Sequence, residues 1–182
     1  MSIAYNDLKH AILGSGPMGI LISTLIAQKF DEVTLWIPDK DLVEDLKRRR
    51  QTEIMGKTVD LPDHIEIVSS LDPFGRDDWA FHIAMPSRSF IDTLHSLIDV
   101  LEPNNSYLFS LFTKGILDSK YRKKTGFVTY SQYLKHQLTE KNFKSTSIAV
   151  ANGPSLLAEM MEEKLSFFNI GSSDPKSREY LA

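Results

Sequence analysis

The chain has 182 residues, about one domain's length, with 21 Lys+Arg against 24 Asp+Glu and a formal net charge of −3. At 42% hydrophobic and 25% charged it is too apolar for a disordered chain, it has no apolar run near the ~18 residues of a membrane helix, and its charge gives no reason to expect nucleic acid. It has no cysteine, which excludes disulfides, thiolate metal sites and a cysteine nucleophile.

In chain order, Lys9–Gly14 reads as a short buried strand ending in glycine. A helix follows, opening at Pro17 and running through Ile20–Phe30, with Met18, Leu21, Ile22, Leu25 and Ile26 as its apolar stripe. Glu32–Ile37 is a second strand, stopped by Pro38-Asp39, and Lys40–Met55 reads as one charged helix. Ile65–Val68 and Trp79–Met85 are strands, and Ser87–Leu101 is a helix. Tyr107–Phe112 is a strand, Tyr130–Lys141 a helix, and Thr146–Ala151 a strand running into Gly153-Pro154. Ser155 is placed to cap a helix to Glu163. Leu165–Ile170 is a last strand, with a helix starting after Asp174-Pro175. Strands alternating with helices predict one α/β domain over residues 1–182, a Rossmann-like doubly wound, mostly parallel sheet with helices on both faces.

Gly14-Ser15-Gly16-Pro17-Met18-Gly19 fits the dinucleotide fingerprint at the right place, between a strand and a helix. Gly14 permits the tight turn, Gly16 lets the backbone approach a pyrophosphate, and Gly19 lets helix and strand pack closely. Helix N–H groups then face the phosphate charge. Asp39, 20 residues past Gly19, either takes ribose hydroxyls and favours NAD or caps the next helix. Nearby Lys40 would suit a 2′-phosphate, so NAD and NADP both stand.

The ordered set Gly14–Gly19, Val33-Thr34-Leu35-Trp36, Leu61-Pro62, Met85-Pro86-Ser87, Thr113-Lys114-Gly115 and Gly153-Pro154-Ser155-x-x-x-Glu159 resembles the N-terminal domain of bacterial-type NAD(P)-dependent glycerol-3-phosphate dehydrogenase. The resemblance implies hydride transfer between NAD(P)H and glycerone phosphate or sn-glycerol 3-phosphate, a phosphorylated small-molecule substrate and a cytoplasmic enzyme. A homodimer is compatible with it. By resemblance the cofactor-binding residues are Gly14, Ser15, Gly16, Pro17, Met18, Gly19, Asp39, Pro86, Lys114 and Leu157, and the substrate-binding residues are Lys114, Gly153 and Ser155. A loop cation at Lys114 suits phosphate attraction and carbonyl polarisation.

Departures from the family pattern predict altered cofactor contacts. Pro17 has no N–H for a phosphate, and Leu157 stands where a small alanine is usual. The family's proton-transferring lysine belongs to a C-terminal helical domain expected beyond Ala182, so the chain alone is expected to be a poor catalyst. The alternatives are a non-catalytic dinucleotide-binding module and another Rossmann dehydrogenase such as a ketopantoate reductase.

The five histidines form no close metal-ligand pair, so no metal site is expected, and His82 reads as a satisfied core histidine. The basic runs Arg48–Arg50 and Lys120–Lys124 read as solvated faces, and Asp77-Asp78 as a solvated turn.

Overall fold

The computed structural model describes residues 3–153, 157–162 and 168–182. The main sheet has seven strands: β1 (Lys9–Leu13), β2 (Val33–Trp36), β5 (Ile65–Val68), β6 (Trp79–Ile83), β7 (Ser106–Leu111), β8 (Ser145–Asn152) and β9 (Asn169–Ser172). Their order is β5-β2-β1-β6-β7-β8-β9, all parallel except the edge pair β8–β9. This is the expected doubly wound sheet. The strand order reverses between β1 and β6, which opens a crevice at their carboxyl ends.

Burial on both faces explains the continuous apolar runs in β1, β2, β6 and β7. Side chains alternate between faces. Ala11, Leu13, Trp36, Phe81 and Phe109 join one core cluster with residues of α3 (Ser87–Val100) and α5 (Tyr130–Glu140). Ile12, Leu35, Ile65 and Ile67 join another with α1 (Pro17–Ala27) and α2 (Lys40–Arg49). A smaller cluster of Leu8, Ala80 and Leu108 is covered by Tyr180 and Leu181 of α7 (Pro175–Leu181). Two short helices, α4 (Ser119–Thr125) and α6 (Leu157–Met161), complete the set.

Three expectations are corrected. The charged helix ends at Arg49, where Arg50 turns left-handed and its N–H bonds Leu46 O. The rest of the expected helix is half of a hairpin, β3 (Gln51–Ile54) with β4 (Lys57–Asp60). Its two-residue turn, Met55-Gly56, has positive φ at both positions, the geometry that matches strand twist. On α1 the expected stripe holds at Leu21 and Ile22, which are buried, and at Met18 and Ile26, which pack against the core; Leu25 departs from it at 43% exposed, and Gly19, Ile20, Ser23 and Ala27 are buried as well. This helix is apolar nearly all round, so its buried side takes residues beyond that stripe. The last described strand, 169–172, overlaps the expected one at 169–170, runs two residues past its expected end and is antiparallel; residues 165–167 of the expected strand lie outside the described residues.

Asp77 and Asp78 form no solvated turn. Asp77 pairs with Lys9 at 3.2 Å, and Asp78 accepts the Ser106 N–H at 2.8 Å, so the pair fixes the amino ends of β1 and β7. Arg48 and Arg49 both pair with Asp45, and Arg50 donates to Ile65 O. Arg48 and Arg49 thus lie on an exposed helix face, and Arg50 ties the end of that helix to β5.

Candidate functional site

The carboxyl ends of β1, β6 and β7 are tied together by a relay of backbone bonds. Gly14 N–H donates to Trp36 O, Ala84 N–H to Leu13 O and Phe112 N–H to Ile83 O. The three loops that follow these strands, 14–19, 84–87 and 112–115, therefore start from one rigid edge.

The glycine loop behaves as its three glycines require. Gly14 has φ +133°, and a Cβ there would lie 2.6 Å from Ala84 O. At Gly19 a Cβ would lie 2.1 Å from Gly14 O, so helix and turn touch backbone to backbone. Gly16 differs: a Cβ there would meet nothing within 4 Å. The space in front of it is open, as a ligand cradle needs. Gly16 is also the N-cap of α1, and no side chain caps that end. The first-turn N–H groups of Met18 and Gly19 lack helical acceptors by construction. With the positive end of the helix dipole they form a site for phosphate oxygens. Pro17, exposed at the first helical position, contributes no donor. Ser15 and Met18 are half-buried beside it. These residues fit a dinucleotide's pyrophosphate.

The other expected residues fall around this edge. Pro86 is the exposed N-cap of α3, a second helix start at the carboxyl end of the sheet, again with no side-chain cap. Lys114 is exposed just after β7 and has no hydrogen bond or ion pair among the described residues. Gly153 follows β8 and is half-buried. Leu157, the first residue of α6, packs onto the α1 side of the sheet in the cluster that also takes Met18, Phe112 and Ala84. Ser155 lies outside the described residues. Asp39 is exposed and caps α2, its Oδ1 accepting from Asp41 N–H at 3.0 Å and Leu42 N–H at 3.1 Å. Capping uses only one carboxylate oxygen, so it leaves Oδ2 for a ribose hydroxyl.

Sequence reasoning took His82 singly and missed the chain it belongs to. Ser110 Oγ lies 2.7 Å from His82 Nδ1, His82 Nε2 lies 3.0 Å from His10 Nδ1, and His10 Nε2 lies 2.9 Å from the Tyr180 hydroxyl. Burial pushes His10 down to about 4; burial and the neighbouring His10 push His82 down to about 3. Both are neutral at ordinary pH. The available signal was a polar residue at an inward position in each of three adjacent strands. The chain joins α7 to the sheet and lies away from the glycine loop.

A cleft of about 650 Å³ lined by Lys9, Glu32, His64, Asp72, Arg76 and Trp79 opens at the amino edge of the sheet. Doubly wound sheets bind ligands at the opposite, carboxyl edge, and the donors that suit a pyrophosphate are there. No group of three or more His, Cys, Asp or Glu side chains among the described residues is placed to hold a metal ion.

The family model described as NAD-dependent glycerol-3-phosphate dehydrogenase N-terminus matches residues 9–178. Glycerol-3-phosphate dehydrogenase (NAD(P)+) of Fusobacterium nucleatum is 26% identical over 153 residues, covering 84% of this chain and 42% of that protein. The protein of the same name from Alcanivorax borkumensis is 29% identical over 174 residues, covering 94% of this chain and 47% of its own length. Among solved structures, glycerol-3-phosphate dehydrogenase of Plasmodium falciparum superposes with a TM-score of 0.75 at 22% identity, over 96% of this chain and 48% of that one. The chain spans less than half the length of these relatives.

Proposed function

The chain belongs to the NAD-dependent glycerol-3-phosphate dehydrogenase N-terminal family, and from that premise we propose that it is the dinucleotide-binding part of a dehydrogenase acting on glycerone phosphate and sn-glycerol 3-phosphate. The observation that carries the reading is the open space in front of Gly16, beside an uncapped helix start.

In this proposal the bound nicotinamide supplies hydride to C2 of glycerone phosphate. Gly14 and Gly19 hold the turn that presents Gly16, Met18 and Gly19 N–H groups to the pyrophosphate. Asp39 Oδ2 accepts from the ribose. Pro86 and Leu157 border the cofactor path. Lys114 offers a cation at the edge where the substrate's phosphate and carbonyl oxygen gather, and Gly153 and Ser155 complete the substrate side. The proposal assigns residues 1–182 the cofactor-binding role.

No helix among the described residues is long and apolar enough to cross a membrane. Cytoplasmic residence and homodimeric assembly belong to the same proposal. Fluorescence titration of the 182-residue chain with NADH and NADPH tests it: saturable binding is expected, and absence of binding at millimolar cofactor overturns it.

A further inference from the structure

Between β6 and β7 the parallel ladder runs through Ile83↔Leu111, and Phe112 N–H donates to Ile83 O at 2.9 Å. In a parallel pair the bonds recur every two residues. The next bond in this ladder would run from the Lys114 N–H to Met85 O. It is not made. The Met85 carbonyl is instead taken by the Thr113 hydroxyl, which donates at 2.9 Å and also lies 3.4 Å from Ile83 O.

Two consequences follow for the loop. Lys114, Gly115 and Ile116 are exposed, and among the described residues none of their N–H groups has an acceptor. They bridge two buried anchors, Thr113 at 9% and Leu117 at 1% exposure, the latter held by its N–H on Val128 O. Gly115, at φ +116°, provides the turn between them. The Thr113 hydroxyl therefore does two things. It ties the Lys114 loop to the Met85-Pro86 loop, and it satisfies a carbonyl that would otherwise draw the Lys114 N–H into the sheet.

We propose that Thr113 is a positioning residue: by taking the Met85 carbonyl it frees the Lys114 backbone N–H, so that this loop meets an anionic or carbonyl group of the bound ligand with both its backbone donor and its ammonium. The proposal rests on the dinucleotide-binding reading above. It places the positioning in a neutral, buried hydroxyl next to the exposed cation.

The test uses the 182-residue chain and three forms: native, Thr113→Val and Thr113→Ser. Valine keeps the shape and removes the donor; serine keeps the donor. NADH affinity is read by fluorescence, and exchange of the Lys114 amide is read by NMR with and without NADH. The expected result is that valine weakens NADH binding about tenfold, the cost of one or two hydrogen bonds, while serine stays within about threefold of native. In native and serine forms the Lys114 amide exchanges as an open amide without ligand and slows when NADH is bound; in the valine form NADH does not slow it.

Native affinity and native protection in Thr113→Val overturn the inference alone. Native chain that fails to bind NADH overturns the dinucleotide reading and the inference with it. If Thr113→Val does not fold, the native chain decides: a Lys114 amide already protected without ligand overturns the proposal, and one that becomes protected only with NADH supports it.

Discussion

Gly16→Ala adds one methyl group where no protein atom lies within 4 Å. The backbone there, φ −71° and ψ 167°, is open to alanine. The cost to folding is confined to cap preference, since alanine is a poorer N-cap than glycine, roughly 0.5–1 kcal/mol. For a chain of this size that lowers Tm by about 1–4 °C. The methyl group stands where pyrophosphate oxygens must approach to reach the Met18 and Gly19 N–H groups. Losing one or two such bonds costs about 1.5–3 kcal/mol each where the acceptor is charged, so NADH affinity falls at least about tenfold. Gly19→Ala is the contrasting case. Its Cβ would sit 2.1 Å from Gly14 O, against the 3.4–4 Å of ordinary contact, and the neighbour is backbone, which cannot rotate away. Overpacking of this kind costs about 1–3 kcal/mol or more. Urea unfolding and NADH titration of the two variants separate the effects. Native NADH affinity in Gly16→Ala, or native stability in Gly19→Ala, refutes the assignment of roles within the loop.

On the proposed function, Lys114→Ala in a polypeptide that reduces glycerone phosphate lowers turnover by about 10²–10³, the usual effect of removing one charge-stabilising donor; steady-state kinetics decide it. Asp39→Ala removes an observed cap and should cost about 1 kcal/mol in urea unfolding, while Asp39→Asn keeps the cap and weakens NADH binding, as titration would reveal. The neutral His10–His82 pair makes stability pH-dependent. Both groups bind protons more weakly folded than unfolded, at about 4 and about 3 against an ordinary 6.5. The unfolded chain therefore takes up protons first, and stability falls as pH drops from about 6.5 towards 4. Asp174, held low mainly by the Tyr5 hydroxyl, has an ordinary value of 3.8 and adds its own loss only below that window. Unfolding measured from pH 7 to 4 should flatten in His82→Gln; an unchanged slope contradicts the assignment.

The parts of the fold that could be read from the residues are those where one physical constraint dominates. β1, β6 and β7 are buried on both faces and so are mostly apolar. The glycine loop was legible because the turn at Gly14 and the close approach at Gly19 each exclude a side chain, while Gly16 was marked by the fingerprint spacing. The β3–β4 hairpin was hidden because Gln51–Asp60 continues the charged pattern of α2, and only Gly56 marks the turn. On α1 only the exposure of Leu25 was hidden, because apolar residues occur all round the helix. At the site, Lys114 was singled out by residue type and by the family resemblance. The part played by Thr113 depends on where Met85 O points, and the partnership of His10, His82, Ser110 and Tyr180 on strand order. Both are tertiary facts that no local pattern encodes.

In the proposed function a dinucleotide sits on the glycine loop at the carboxyl edge of the sheet. The most direct measurement is amide chemical-shift mapping of the 182-residue chain on addition of NADH. The Gly16, Met18 and Gly19 amides are expected to shift together and saturate with a single dissociation constant, while the amino edge around Lys9 and Asp77 stays still. Shifts confined to that amino edge, or none at the three loop amides, would contradict it.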